Sequence, residues 1–446
     1  MVDLPAEIWF NIIDFIPDFE LKGLISINSV FLEAGINRKW RRTRILICFA
    51  SQGIPILKRI SDPFVAERVQ VLGIQLYCDH MLSPRPNEPT FEDFMDALLQ
   101  TVPLLRNAYK LNFAFQTFPS TFNMEQSIQS LCHAIGPNFR NVRALTLEGQ
   151  SEVIRAFVES MPPLPQLKDL KINFTRLSAV DAPPSNAHDL VSHIVPFVNG
   201  VSPNLRSLEI LCGYDVNISE IFKNLDRMPT IHSLDMQISQ FQPLTKPTEL
   251  FCFLEQCSDT LRNLELRLEQ HNLDHWFSDI VSLDNHFRLN LHSLNIVTSV
   301  RDRAVDIILH ILQMTTATLQ KLDLVKTNLL DFISAPIFND QELSRIVDAA
   351  SNCKQLRYLR IQIDCLDGHV LDMLASNLPA LQTLAITAGT IPILHINAVI
   401  PDPDDDFVQP AKKVYRQWHF RDIRRSIYSA YRYSYIALVD NTLAMA

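Results

Sequence analysis

Few side chains in this sequence are spaced for chemistry. His271 and His275 stand four apart, the helical spacing at which two imidazoles can share a metal ion. The residues between them, Asn-Leu-Asp, lack the glutamate that a zinc hydrolase uses as its base. His188 and His193 are five apart, which does not place both on one helix face. The eight cysteines, Cys48, Cys78, Cys132, Cys212, Cys252, Cys257, Cys353 and Cys365, form no CxxC pair. Scattered in apolar settings, they read as buried thiols of a reducing compartment. There is no GxSxG and no glycine-rich phosphate loop, and only ten glycines in all. What does accumulate is charge. Glu209, Asp235, Glu265 and Asp323, with Arg267 and Arg360, recur at neighbouring positions of one repeated phrase. Like charges gathered on a surface either form an ordinary solvated sheet face or attract a basic or mixed-charge segment of another protein. No catalytic, cofactor or metal site is expected.

The phrase that would position these charges is apolar-x-x-apolar-x-apolar. It begins with Val69/Leu72/Ile74 and a weaker Ala108/Leu111/Phe113, and runs on through Val142/Leu145/Leu147, Leu167/Leu170/Ile172, Leu205/Leu208/Ile210 and Ile231/Leu234/Met236. Leu261/Leu264/Leu266, Leu291/Leu294/Ile296, Leu319/Leu322/Leu324, Leu356/Leu359/Ile361 and Leu381/Leu384/Ile386 complete eleven copies. Ten intervals between positions 69 and 381 average about 31 residues, ranging from 25 to 39. Period-two apolar residues predict short strands with one buried face. Between the phrases, 152–161, 219–228, 248–256, 304–313, 341–350 and 368–377 predict helices. Pro165, Pro203, Pro229 and Pro379 each sit two residues ahead of a phrase, where proline ends a helix and favours extended chain. Each unit therefore reads helix, turn, short strand.

Such spacing predicts an α/β repeat solenoid, with parallel strands on the concave side and helices on the convex side. The alternative is a two-layer α/β domain with another connection order. The phrase LxxLxL resembles a leucine-rich repeat, and the resemblance implies an irregular horseshoe of about eleven repeats over residues 46–395. The asparagine usual three residues beyond the phrase is missing, so no asparagine ladder is expected. A polar, Pro-rich insertion at 178–188 and a longer interval at 327–336 interrupt the rhythm, as loops at a binding rim do and as tolerated insertions do.

Residues 4–40 follow a different rule. Pro5 suits a helix start, Ile8, Ile12 and Phe15 recur at helical spacing, Pro17 stops the helix, and Asp18 is placed to cap the next. Leu21, Leu24, Ile25 and Ile27 mark a second helix, and Phe31, Leu32, Ile36 and Trp40 a third, weakened by Gly35. Leu4-Pro5-x-Glu7-Ile8, Ile12-Ile13-x-Phe15-Ile16-Pro17, Glu20-Leu21-x-x-Leu24 and Trp40 together resemble an F-box. Glu20 stands where that family more often has Asp, and Val30 where it has a polar residue. The resemblance implies a small three-helix module over residues 1–45 that docks a Skp-family adaptor and, through it, a cullin. By the same resemblance Leu4, Pro5, Ile8, Ile12, Ile16, Leu21 and Leu24 make that contact or shape the helices that present it.

Composition narrows the rest. A formal charge of −9 argues against a general nucleic-acid or membrane-surface binder. No basic start with an apolar core suggests a signal peptide, and no run reaches the length of a membrane span, so cytoplasm, nucleus or both is the expected location. Arg38, Lys39, Arg41, Arg42 and Arg44 read as a solvated helix end. Past residue 395 come an acidic linker at 401–406 and a basic, aromatic tail at 411–435, expected to be a capping helix or a flexible tail. Taken together, the two resemblances imply a non-catalytic substrate receptor of an SCF-type ubiquitin ligase that binds an unidentified target protein. The alternative is an interaction scaffold that delivers nothing for degradation.

Overall fold

The computed structural model describes residues 5–47, 50–76, 89–115, 123–136, 140–175, 187–212, 219–238, 247–268, 288–298, 304–315, 318–324, 338–365, 368–390, 422–428 and 433–439. The insertions at 178–186 and 327–336, the acidic 401–406 segment, Leu4, His271 and His275 lie outside these. Two compact units divide the chain, Met1–Leu205 and Arg206–Ala446.

The first unit opens with three helices, α1 (Ala6–Asp14), α2 (Asp18–Leu24) and α3 (Ser29–Arg41). Pro5 and Pro17 are the cap residues of α1 and α2, so Asp18 is the first helical residue rather than the cap. Each proline carbonyl accepts two N–H groups from the first turn of its helix, Ile8 and Trp9 in α1 and Glu20 and Leu21 in α2. The Asn28 side chain caps α3 by accepting from the Phe31 N–H at 3.0 Å. The module core is small: Ile13, Leu21, Phe31 and Ala34, with Trp9, Ile16, Leu24 and Val30 packed partly against it. The Arg38 guanidinium donates to the Ile13 and Ile16 carbonyls and meets Asp18 at 3.2 Å. It thereby holds the end of α1, where free carbonyls collect. Gly35 has a packing reason, since a Cβ there would lie 2.6 Å from the Ile25 Cγ2.

Strands β1 (Arg42–Ile47), β2 (Val71–Leu76), β3 (Lys110–Phe115), β4 (Ala144–Gly149) and β5 (Asp169–Phe174) then pair in sequence order, all parallel. β1 carries no copy of the phrase and spans the expected module boundary at residue 45. Between the strands come α4 (Ala50–Ile60), α5 (Pro63–Ala66), α6 (Phe91–Thr101), α7 (Met124–Ile135) and α8 (Ser151–Ser160), with α9 (Ala187–Val201) after β5. Phe113 and Phe115 stack on Phe157 of α8 with ring centroids 5.2 and 5.4 Å apart. Gln150 alone separates β4 from α8. Gly149 allows that close turn, because a Cβ there would lie 2.7 Å from the Phe115 carbonyl oxygen.

The second unit repeats the rule. β6 (Ser207–Cys212), β7 (Ser233–Ile238), β8 (Asn263–Leu268), β9 (Ser293–Thr298), β10 (Lys321–Asp323), β11 (Tyr358–Cys365) and β12 (Thr383–Thr390) pair in order, all parallel. Among them lie α10 (Ser219–Asn224), α11 (Pro247–Cys257), α12 (Ala304–Met314), α13 (Asp340–Ala350) and α14 (Gly368–Asn377). All eleven phrases are strands, and all three apolar positions of each are buried. Parallel strands with intervening helices make both units α/β, an arrangement compatible with a solenoid.

One turn recurs at the start of the phrases. The N–H of the first apolar residue donates to the carbonyl three residues earlier at Val69, Ala108, Leu167, Leu205, Ile231, Leu356 and Leu381. Pro165, Pro203, Pro229 and Pro379 occupy the second position of such turns, which their fixed φ suits. The next residue's carbonyl then accepts two N–H groups from the following strand: His232 and Ser233 both donate to Arg206, Arg262 and Asn263 to His232, and Gln382 and Thr383 to Arg357.

The C-terminal stretch departs from expectation. Instead of a helix or a flexible tail, β13 (Asp422–Tyr428) and β14 (Tyr433–Val439) form an antiparallel pair, and β14 runs antiparallel along β12. Ile, Tyr and Val in DIRRSIY and YSYIALV favour strand. The pairing satisfies the backbone edge that β12 would otherwise present.

Candidate functional site

The charged residues singled out from the sequence do form a row on the sheet face opposite the buried phrase positions. Register places Glu209 beside Asp235, Asp235 beside Glu265 and Glu265 beside Asn295, with Asp323 and Arg360 following. Adjacent carboxylates one strand apart would repel. The structure inserts Arg267 of β8 between two of them. Its Nη2 lies 2.9 Å from Asp235 and its Nε 2.8 Å from Glu265. Burial acts to lower the Arg267 pKa, but Asp235, Glu265 and Glu209 outweigh it and hold the guanidinium above its ordinary value. Arg267 thus compensates part of the row's negative charge, and the row is not a bare run of carboxylates.

Asp323 departs from its expected role. It is only 4% exposed and meets Arg360 at 3.8 Å. Gln362 and Ala385 on the same face are buried too. The face is therefore accessible at Glu209, Asp235, Glu265 and Arg360, and closed at Asp323, Gln362 and Ala385. A phrase position alone carries no information about what else covers a sheet, so the sequence could not separate the open positions from the closed ones.

In the three-helix module the candidates separate by exposure. Pro5, Ile8 and Ile12 are on the surface, with Ile8 43% and Ile12 39% exposed. Ile16 and Leu24 are half-buried against the core, and Leu21 is itself core at 2%. Leu21 thus builds the module's core rather than its surface. Phe15 and Phe19, 88% and 74% exposed, extend the Ile8–Ile12 stripe along α1 and into α2. Neither was assigned to the contact from sequence. The signal was present in the i, i+4, i+7 spacing of Ile8, Ile12 and Phe15.

The remaining chemistry-bearing residues are engaged in packing. Burial pushes the thiols up, Cys132 to about 12 and Cys257 and Cys353 to about 11, with Cys212 raised further, so none is held as thiolate. His193 Nδ1 lies 2.8 Å from Glu159, joining α9 to α8. Among the described residues no group of three His, Cys, Asp or Glu is placed to hold a metal ion, and no helix is long and apolar enough to cross a membrane. No protein-family model matches the chain, and no curated protein matches it.

Proposed function

We propose that this chain is the substrate receptor of an SCF-type ubiquitin ligase. The F-box-like module docks a Skp-family adaptor, and the leucine-rich-repeat-like body presents a target protein. The observation that carries the reading is the stripe Ile8, Ile12, Phe15 and Phe19, exposed on a module whose own buried core is four residues. Surface phenylalanines cost solubility unless a partner covers them, and each aliphatic side chain fully buried by that partner contributes about 1.5–3 kcal/mol. Such a receptor performs no bond chemistry. It brings a target close to an E2 held elsewhere in the ligase, and the gain is proximity.

The acidic end of the open sheet face, Glu209, Asp235 and Glu265, is the target surface in this reading. Its Arg267 pre-orders the carboxylates for a basic or mixed-charge segment. The decisive experiment is affinity purification of the intact chain beside an Ile8→Asp, Phe15→Asp variant. Adaptor and cullin should co-purify with the first and not the second, while other partners stay common to both. Both changes are at exposed positions, so the body's circular dichroism should not move. Equal recovery of adaptor from both proteins would overturn the reading. Recovery of adaptor without any change in the level of a bound protein after deletion would favour a non-degradative scaffold.

A further inference from the structure

A groove of about 1000 Å³ runs along the first unit, where α2 and α3 face α4 and α5. Its floor is apolar, with Ile25, Ile36, Trp40 and Phe64 among the lining residues. Five cations line it, Lys22, Arg38, Lys39, Lys58 and Arg59, against two carboxylates, Asp18 and Asp62. Both carboxylates already have work. Asp18 meets Arg38 at 3.2 Å, and Asp62 caps α5 by accepting from the Phe64 N–H at 2.8 Å. Arg38 is tied to the α1 carbonyls. Lys22, Lys39, Lys58 and Arg59 remain, all exposed, none in an ion pair among the described residues. Lys39 lies 5.1 Å over the Trp40 ring. In a chain of net charge −9 this concentration is not general basicity. Four cations around one groove repel each other until an anion arrives.

We propose that this groove binds an acidic peptide segment of a partner protein. Carboxylates of the segment meet Lys22, Lys39, Lys58 and Arg59, and one large apolar side chain enters between Ile36, Trp40 and Phe64. The volume is that of a ligand pocket and suits one anchor with its flanking residues, not a folded domain. Gly35 keeps the groove open in shape, because it lets Ile25 lie against α3. The site stands apart from the α1 stripe and goes beyond the proposed adaptor contact.

The probe is a short fluorescent peptide with glutamates flanking a central tryptophan–leucine pair, titrated into the full chain by anisotropy. Binding should be saturable and weaken with salt. A Lys58→Glu, Arg59→Glu variant should lose roughly tenfold or more in affinity, and should gain affinity for the same peptide with lysines in place of glutamates. Lys22→Glu should weaken the original peptide independently. The Ile8→Asp, Phe15→Asp variant should bind it as the unaltered chain does, so failure of the adaptor reading and failure of this one are told apart. Equal binding of a glutamine-substituted peptide, or binding indifferent to charge reversal, would overturn the proposal. So would tighter binding of a single-stranded oligothymidylate than of the peptide.

Discussion

The three-helix module and the repeat units bury their apolar residues in opposite proportions. Every phrase places three side chains in the core of its unit. The module buries four and leaves Ile8, Phe10, Ile12, Phe15 and Phe19 in water. In the proposed reading, the module's apolar surface serves recognition, whereas the phrase residues of the body serve cohesion.

That contrast can be broken most severely in the body. Phe157→Ala removes the ring on which Phe113 and Phe115 stack and should cost about 3–5 kcal/mol, read as a shifted urea midpoint. Leu21→Ala should cost about 2–4 kcal/mol but act locally. Hydrogen exchange by mass spectrometry should show faster exchange over 5–41 with the strands unchanged; equal loss of protection in the strands would mean that module and body unfold together. Acid sharpens the comparison from the other side. His310 of α12 is buried with its ring edge-on to Phe251, and burial lowers its pKa below the ordinary value. The unfolded chain then binds the proton more readily than the folded one. Stability of the second unit should be full above pH ~6.5 and fall below it, and His310→Phe should flatten that slope. The smallest effect belongs to the module surface. Phe15→Ser should leave the urea midpoint within about 0.5 kcal/mol, as exposed positions do, while weakening adaptor recovery.

Much of the scaffold was legible because the phrase has period two and every copy uses it for the same purpose. Even the weak copy at Ala108 is a strand, since its Leu111 and Phe113 suffice. β1 escaped because RTRILI lacks the phrase: a polar Thr43 is buried ahead of Ile45, and the arginines stay exposed on the other face. The antiparallel end was hidden by its basic residues, which suggested a solvated tail rather than strands. At the candidate sites, sequence placed Glu209, Asp235 and Glu265 in one row. It could not foresee that Arg267 would bridge two of them, since a side chain two residues along the strand reaches across only once the register is fixed. Nor could spacing alone separate Leu21, which builds the module, from Phe15, which faces outward.

The recurring turn before each strand has a consequence for how such a chain can change. On that edge the connections are short and stereotyped, and carbonyls such as those of Arg206, His232 and Arg357 hold successive units in step. On the other edge Gln150 alone joins β4 to α8, whereas residues 324–339 separate β10 from α13. The spacing between a strand and its following helix therefore differs widely on this edge. An inserted epitope or a new recognition loop placed after a strand should leave the register intact, whereas one extra residue between a helix and the next strand would throw every following unit out of phase. The molecule thus has one edge that heredity can edit and one that it must copy.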